Sequence, residues 1–256
     1  MDKDIGPILN GWPHDPGEIS VRKVRGLDGR PKIQLRLDLG LLQMETRGRP
    51  DGTRPHDCES LLEHLEKRLS AHQRSHGSEE GFTIEADYCR QLRAEAVQYY
   101  YRYLSEFVLE DYQGVVRDTA RNLRVLDLVQ QYAAEEADRQ SMEQYRPYIL
   151  MMHTRARAHV ALSVGKPDAA RRAVHRGLAG LRELFSRHGD EEQLYRGSPE
   201  AATLEALLGE IESSIPPDPL QQLKRELARA VEEERYEDAA RLRDSIAKTG
   251  PKKKES

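Results

Sequence analysis

The stretch LQQLKRELARAVEEERYEDAARLRDSI, residues 220–246, carries the most specific pattern in the chain. Leu220, Leu223, Leu227 and Ala230 recur at i, i+3, i+7 and i+10, which is one face of a helix. Asp218 suits an N-cap and Pro219 the first helical position. The run Glu232-Glu233-Glu234-Arg235 ends that helix, and Tyr236 opens a second with Ala239, Ala240, Leu242 and Ile246 turned inward. The paired alanines let two helices approach closely, and the tyrosine is expected to fill the open end. About thirty residues make a hairpin too small to bury both of its faces. An apolar stripe is left over for a partner protein, a second copy, or the body of this chain.

Working upstream, residues 186–219 read as a boundary zone. Gly189-Asp190-Glu191-Glu192 and Gly197-Ser198-Pro199 are breakers, a short helix is expected at 200–213, and Ile215-Pro216-Pro217-Asp218-Pro219 closes the zone. Pro216-Pro217 favours an extended spacer, so residues 214–219 are assigned as a Pro-rich linker. Downstream, residues 250–256 with Lys252-Lys253-Lys254 read as a disordered basic tail.

Residues 58–213 are helical in pattern. Leu61, Leu62, Leu65 and Leu69 keep helical spacing over 58–76, before the break at Gly77-Ser78-Glu79-Glu80-Gly81. A helix near 84–109 holds Tyr99, Tyr100, Tyr101, Tyr103, Leu104 and Phe107. Asp111-Tyr112 turns the chain into a helix with Val115, Val116, Leu123 and Leu126. A similar pair follows over 145–181, turning at Gly165-Lys166-Pro167-Asp168. Small residues, a Gly-containing turn and then Ala169-Ala170 resemble tetratricopeptide-type helix pairs, although the signature Trp, Leu-Gly and terminal Pro are missing. The expectation is a bundle of degenerate repeat-like hairpins.

Residues 1–57 read as an arm and a β-hairpin. Gly6-Pro7, Gly11-Trp12-Pro13 and Asp15-Pro16-Gly17 punctuate the arm, and Trp12 is expected to pin it to the body. Ile19 and Val21 alternate with polar neighbours, and Asp28-Gly29 supplies a turn. Ile33, Leu35, Leu37, Leu39 and Leu41 then hold a period of two, with a bulge or bend expected at Gly40. The loop Gly48-Arg49-Pro50-Asp51-Gly52 through Arg54 reverses the chain.

Composition agrees with a mainly α protein. The 256 residues are 33% charged and 38% hydrophobic, with a net charge of −4. Mean hydropathy is −0.78. No run of eighteen apolar residues exists, so no membrane span is expected. Met1-Asp2-Lys3-Asp4 lacks the basic and apolar regions of a secretory signal. Cys58 and Cys89 suit a reduced, cytoplasmic setting and exclude a Cys-rich zinc ribbon.

The pattern Leu220-x-x-Leu223-Lys224-x-Glu226-Leu227-x-x-Ala230-x-Glu232-x-Glu234-x-Tyr236-Glu237-x-Ala239-Ala240-x-Leu242-Arg243-Asp244-x-Ile246 closely resembles the UVR motif. That motif is shared by the excision-repair subunits UvrB and UvrC, some Clp-type ATPases and a zinc-containing activator of bacterial protein arginine kinases. Tyr236 stands where Phe is commoner. The resemblance covers about an eighth of the chain and implies a non-catalytic helical hairpin for protein–protein contact. No Walker A sequence and no Cys-x-x-Cys pair accompanies it, which separates this chain from the ATPases and the zinc activator. Its hairpin segments around Asp28–Arg36 and Leu39–Glu45 look like those of bacterial proteins that end in the same motif and carry no assigned activity.

Other residue groups have plainer readings. His72 and His76 stand one helical turn apart, as metal ligands can, but no Cys or acid is spaced to complete a shell. Cys89 lies near Arg90 and Arg93 but has no Cys-His nucleophile arrangement around it, and reads as structural. The Tyr99–Tyr103 cluster must wrap its helix and reads as core. Arg22-Lys23-x-Arg25, Arg155-x-Arg157 and Arg171-Arg172 read as solvated faces.

The sequence therefore predicts an N-terminal β-hairpin packed on a helical-hairpin bundle, followed by a UVR hairpin at 220–249. No catalytic residue, metal or cofactor is expected. The residues expected to meet a partner are Leu223, Leu227, Ala230, Tyr236, Ala239, Ala240, Leu242, Arg243 and Ile246. The partner is another protein, one carrying a UVR motif in particular, or a second copy. Accessory nucleic-acid binding in excision repair is the alternative function.

Overall fold

The computed structural model describes residues 4–187, 191–215 and 219–249. The double-proline step, the Asp218 cap, the Leu220 side chain and the basic tail lie outside the described residues. Chain contacts divide the protein into two compact units, residues 1–209 and 210–256.

In the first unit a four-residue helix, α1 (Gly6–Leu9), precedes an antiparallel sheet of β1 (Val21–Arg25), β2 (Pro31–Leu37) and β3 (Gly40–Glu45), in that order. The sequence predicts two strands, and the described residues form three. The alternation through Leu41 is cut by a two-residue turn at Asp38-Leu39, so Leu37 pairs with Gly40. Gly40 starts a strand instead of bulging one, and Leu39 stands 89% exposed instead of facing the core. The Arg36 guanidinium fastens this turn by donating to the carbonyls of Leu37, Asp38 and Gly40. Ile19 falls before β1 and is exposed.

One face of the sheet presents Ile33, Leu35 and Met44, packed with Val21, Leu42, Tyr101 and Leu109. The other is polar, with Arg22 donating to Gln34 and Gln34 to Gln43 across the strands. The arm lies on that polar face. Trp12 Nε1 donates to Ser20 Oγ at 2.6 Å, Arg36 Nε donates to the Trp12 carbonyl at 2.9 Å, and the Arg22 guanidinium covers the indole.

A 3-10 turn at Pro55–Asp57 leads to α2 (Leu61–His76), α3 (Ala86–Val108), α4 (Tyr112–Tyr132), α5 (Glu136–Glu143), α6 (Arg146–Ser163), α7 (Pro167–Ser186), α8 (Glu191–Gly197) and α9 (Pro199–Ser214). Ser60 caps α2 by accepting from Glu63 N, and Gly77 ends it with φ +76°. The sequence pattern shows no apolar period for α5. Leu61, Leu62, Leu65, Leu92, Val125, Leu126, Val129 and Ile149 share one core.

The pairs α3–α4 and α6–α7 are helical hairpins that pack side by side through α4 and α6. Both turn in the same way. Asp111 N donates to Glu106 O, and Glu110 N to Phe107 O, with Glu110 at φ +58°. Lys166 N donates to Ala161 O, and Gly165 N to Leu162 O, with Gly165 at φ +68°. These are the paired bonds of a Schellman motif, whose left-handed residue favours glycine.

A buried ionic network ties the sheet to these helices. The Arg102 guanidinium clasps the Asp118 carboxylate at 2.6 and 2.9 Å and donates to the carbonyls of Glu45 and Gly48. Glu95 pairs with Arg121 and accepts from the backbone N–H of Leu61 at the start of α2. Glu106, shared with Arg117, is pushed up to about 7 by burial and by the Asp118 charge. No helix among the described residues is long and apolar enough to cross a membrane.

Candidate docking hairpin

The second unit is built on α10 (Pro219–Glu232) and α11 (Tyr236–Thr249), which pack against each other. Their connection, Glu233-Glu234-Arg235, repeats the turn of the first unit. Arg235 N donates to Ala230 O at 2.8 Å and Glu234 N to Val231 O at 3.1 Å. Glu234 holds the left-handed position at φ +57°, without the relief glycine would give.

Exposed ion pairs brace the turn. Glu233 meets Arg229 and Arg235, each at 2.8 Å, and Arg235 also reaches Asp238 at 2.7 Å. Hydrogen bonds from the two arginines hold the Glu233 carboxyl below its ordinary range. Glu237 and Asp238 place negative charge in the first turn of α11, where the helix dipole favours it.

The structure separates the predicted contact residues into two sets. Ala230 is 0% and Ala239 8% exposed, and these two small side chains form the seam that lets α10 and α11 touch. Leu223 and Leu227 on α10, and Leu242 and Ile246 on α11, lie half-buried beside it. Tyr236, Ala240 and Arg243 follow at i, i+4 and i+7 and make an exposed stripe of α11. Tyr236 is 68% exposed and does not fill the open end of the hairpin. As the first residue of α11, its Cβ tilts toward the helix start, where no preceding turn of α11 lies to cover it. Val231, beside the Leu227 row of α10, is 52% exposed. Among the described residues, Arg243 pairs with its neighbour Asp244, at 3.4 Å.

The remaining residues singled out in the sequence are engaged elsewhere. The Cys89 thiol is buried and pushed up to about 11 by desolvation, so Arg90 and Arg93 do not activate it. The His72 and His76 rings stack at 4.2 Å, and each hydrogen-bonds a backbone carbonyl. Among the described residues no group of three His, Cys, Asp or Glu side chains is placed to hold a metal ion. Tyr99 and Tyr103 are buried, while Tyr100 and Tyr101 are half-buried. Tyr100, Tyr101 and Tyr103 line a cavity of about 440 Å³ with Tyr145 and Tyr148. Arg49 pairs with Asp51 and Glu95.

The family model of the UvrB/UvrC motif matches residues 218–248, the span of this hairpin. The chain therefore carries a UVR motif at α10–α11. No curated protein and no solved structure matches the chain.

Proposed function

We propose that this protein is a non-enzymatic, cytoplasmic adaptor that docks on a partner protein through its UVR hairpin, with the repeat-like helix pairs of the first unit as its scaffold. The observation that carries this reading is the exposed stripe Tyr236–Ala240–Arg243 beside half-buried Leu242 and Ile246. A seam made by Ala230 and Ala239 leaves much of the apolar side chain of the hairpin within reach of another helix pair. Aromatic and arginine side chains flanked by small residues are the usual anchors of such contacts. The favoured partner is a second two-helix hairpin, such as another UVR motif, completing a four-helix packing.

The test is affinity capture from the source organism's lysate, comparing the intact chain with one ending at Ser214. A protein held by the intact chain and lost with the truncation supports docking. The same catch from both chains contradicts it. Light scattering across a concentration series reads whether the hairpin pairs with a second copy instead.

Excision repair is one setting that the motif implies. The hairpin itself offers polyanions little attraction, since residues 219–249 hold seven Lys and Arg against seven Asp and Glu.

A further inference from the structure

Charge is distributed unevenly along this chain. The net charge is −4, yet residues 146–187, the span of α6 and α7, hold nine Lys and Arg and only two Asp and Glu. Both acids are already committed, Asp168 to Arg171 at 3.0 Å and Glu183 to Arg187 at 2.5 Å. Arg146 is held by Asp127 and Glu143, and Arg182 by Glu192. Arg155 lies over the Phe107 ring. Arg157, Lys166, Arg172 and Arg176 remain, all exposed and without a carboxylate partner among the described residues.

Their placement follows from the packing of α7. Ala170, Ala173, Val174, Gly177, Leu178 and Leu181 are buried, with Gly177 against Thr154 of α6. The opposite stripe, Arg172, His175, Arg176 and Ala179 at i, i+3, i+4 and i+7, faces water. Lys166 is exposed in the turn that leads into this helix, and Arg157 is exposed on α6.

We infer that the α6–α7 hairpin is a binding surface for the phosphate backbone of double-stranded nucleic acid. This inference rests on a different element from the docking hairpin and stands or falls separately. The cations are uncommitted, so contact with phosphate breaks no ion pair. Apart from the His175 imidazole the α7 stripe carries no aromatic or large aliphatic side chain, so it offers a protein partner charge but little apolar area to bury. Single strands are held largely by stacking on successive aromatic side chains, and this stripe offers only the His175 imidazole. Duplex backbone is bound through charge and hydrogen bonds alone, without reading base sequence.

The experiment is fluorescence anisotropy of a labelled 24-base-pair duplex of arbitrary sequence with the full chain, from 50 to 200 mM NaCl. Four engaged cations predict a log–log salt slope of about −3 to −4, and hence a loss of affinity on the order of a hundredfold over that range. The double variant Arg172→Ala/Arg176→Ala, checked for fold by circular dichroism, is expected to weaken binding at least tenfold and flatten the slope by about two. The control Lys224→Ala/Arg225→Ala on α10 is expected to bind as the unaltered chain does.

No shift at 50 mM NaCl overturns the inference, as does unaltered binding by the α7 variant. Equal weakening by the α10 control overturns it too. A chain with Lys252, Lys253 and Lys254 changed to Ser that alone loses binding assigns the effect to the tail. Competition by polyglutamate as strong as by unlabelled duplex assigns the surface to an acidic protein, and stronger competition by single strands removes the preference for duplex.

Discussion

The α6–α7 and α10–α11 hairpins are closed by the same three-residue turn and differ in what surrounds it. In each, the residue after the left-handed position donates five back along the chain, and a small residue in the next helix is buried. That residue is Ala170 in the first hairpin and Ala239 in the second. Around α6–α7 the inward rows are fully buried, with Val174 and Leu181 at 0% exposure. Around α10–α11 the large inward residues, Leu227, Leu242 and Ile246, are only half-buried. The same local code thus yields an internal scaffold element in one place and an incompletely buried helix pair in the other. What separates them is the neighbouring structure, α4 above all, and not the turn.

The comparison is tested most severely inside α7. A Cβ added at Gly177 would stand 2.8 Å from the Thr154 Cβ. Gly177→Ala is therefore expected to cost about 2–3 kcal/mol by overpacking, although alanine is intrinsically the better helix former. Equilibrium denaturation reads the effect, and an unchanged or raised midpoint would mean that α6 and α7 are no more tightly joined than α10 and α11.

Buried charge also separates the two units. Burial and the Asp118 charge push the Glu106 carboxyl up to about 7 in the folded chain, against an ordinary value of 4.5. Between those values the unfolded chain releases a proton that the folded chain keeps, so this group lowers stability progressively as pH rises from about 4.5 to about 7. Glu106→Gln removes that penalty. The variant is expected to match the unaltered chain near pH 4.5 and to exceed it by about 1–2 kcal/mol above pH 7. Parallel stability–pH curves for the two proteins would contradict the assignment. The ion pairs of α10–α11 are exposed, and no such crossover is expected from them.

The smallest effects lie in the turns. Gly165→Ala forces a side chain into the left-handed region and is expected to cost about 1 kcal/mol. Glu234→Gly relieves that conformation and is expected to stabilise the C-terminal hairpin by about 0.5–1 kcal/mol. Denaturation of the first variant and amide exchange near Ala239 in the second measure these changes. Shifts of the same sign would mean that the two turns are not equivalent.

Much of this architecture was legible in the residues. Leucine spacing marked α2, and alanine pairs marked the starts of α7 and α11. The break at Gly40 was visible, but not its form. Alternation continues through Leu39, and the turn that intervenes shows only in the pairing of Leu37 with Gly40 and in the Arg36 guanidinium drawn across three carbonyls. Helix α5 has no apolar period to announce it. The network of Glu95, Arg102, Glu106, Asp118 and Arg121 was invisible, since charged residues in a helix pattern read as solvated until tertiary packing encloses them. In the C-terminal hairpin the apolar rows were readable. The division into Ala230–Ala239 seam and Tyr236 stripe was not, because adjacent rows on a helix differ by a small rotation that only the partner helix resolves. The basic face of α7 was readable as two arginines, and its significance came only with the ion pairs that leave Arg172 and Arg176 uncommitted.

On the docking proposal, Tyr236 belongs to a contact surface and not to the fold. The most direct measurement is the affinity of the captured partner for the full chain, for Tyr236→Phe and for Tyr236→Asp, with the thermal midpoint of each. Docking predicts that phenylalanine preserves affinity and that aspartate lowers it by about 1–3 kcal/mol, with all three midpoints alike. Equal affinities across the three proteins would contradict it, as would a loss of affinity that merely follows a fall in the midpoint.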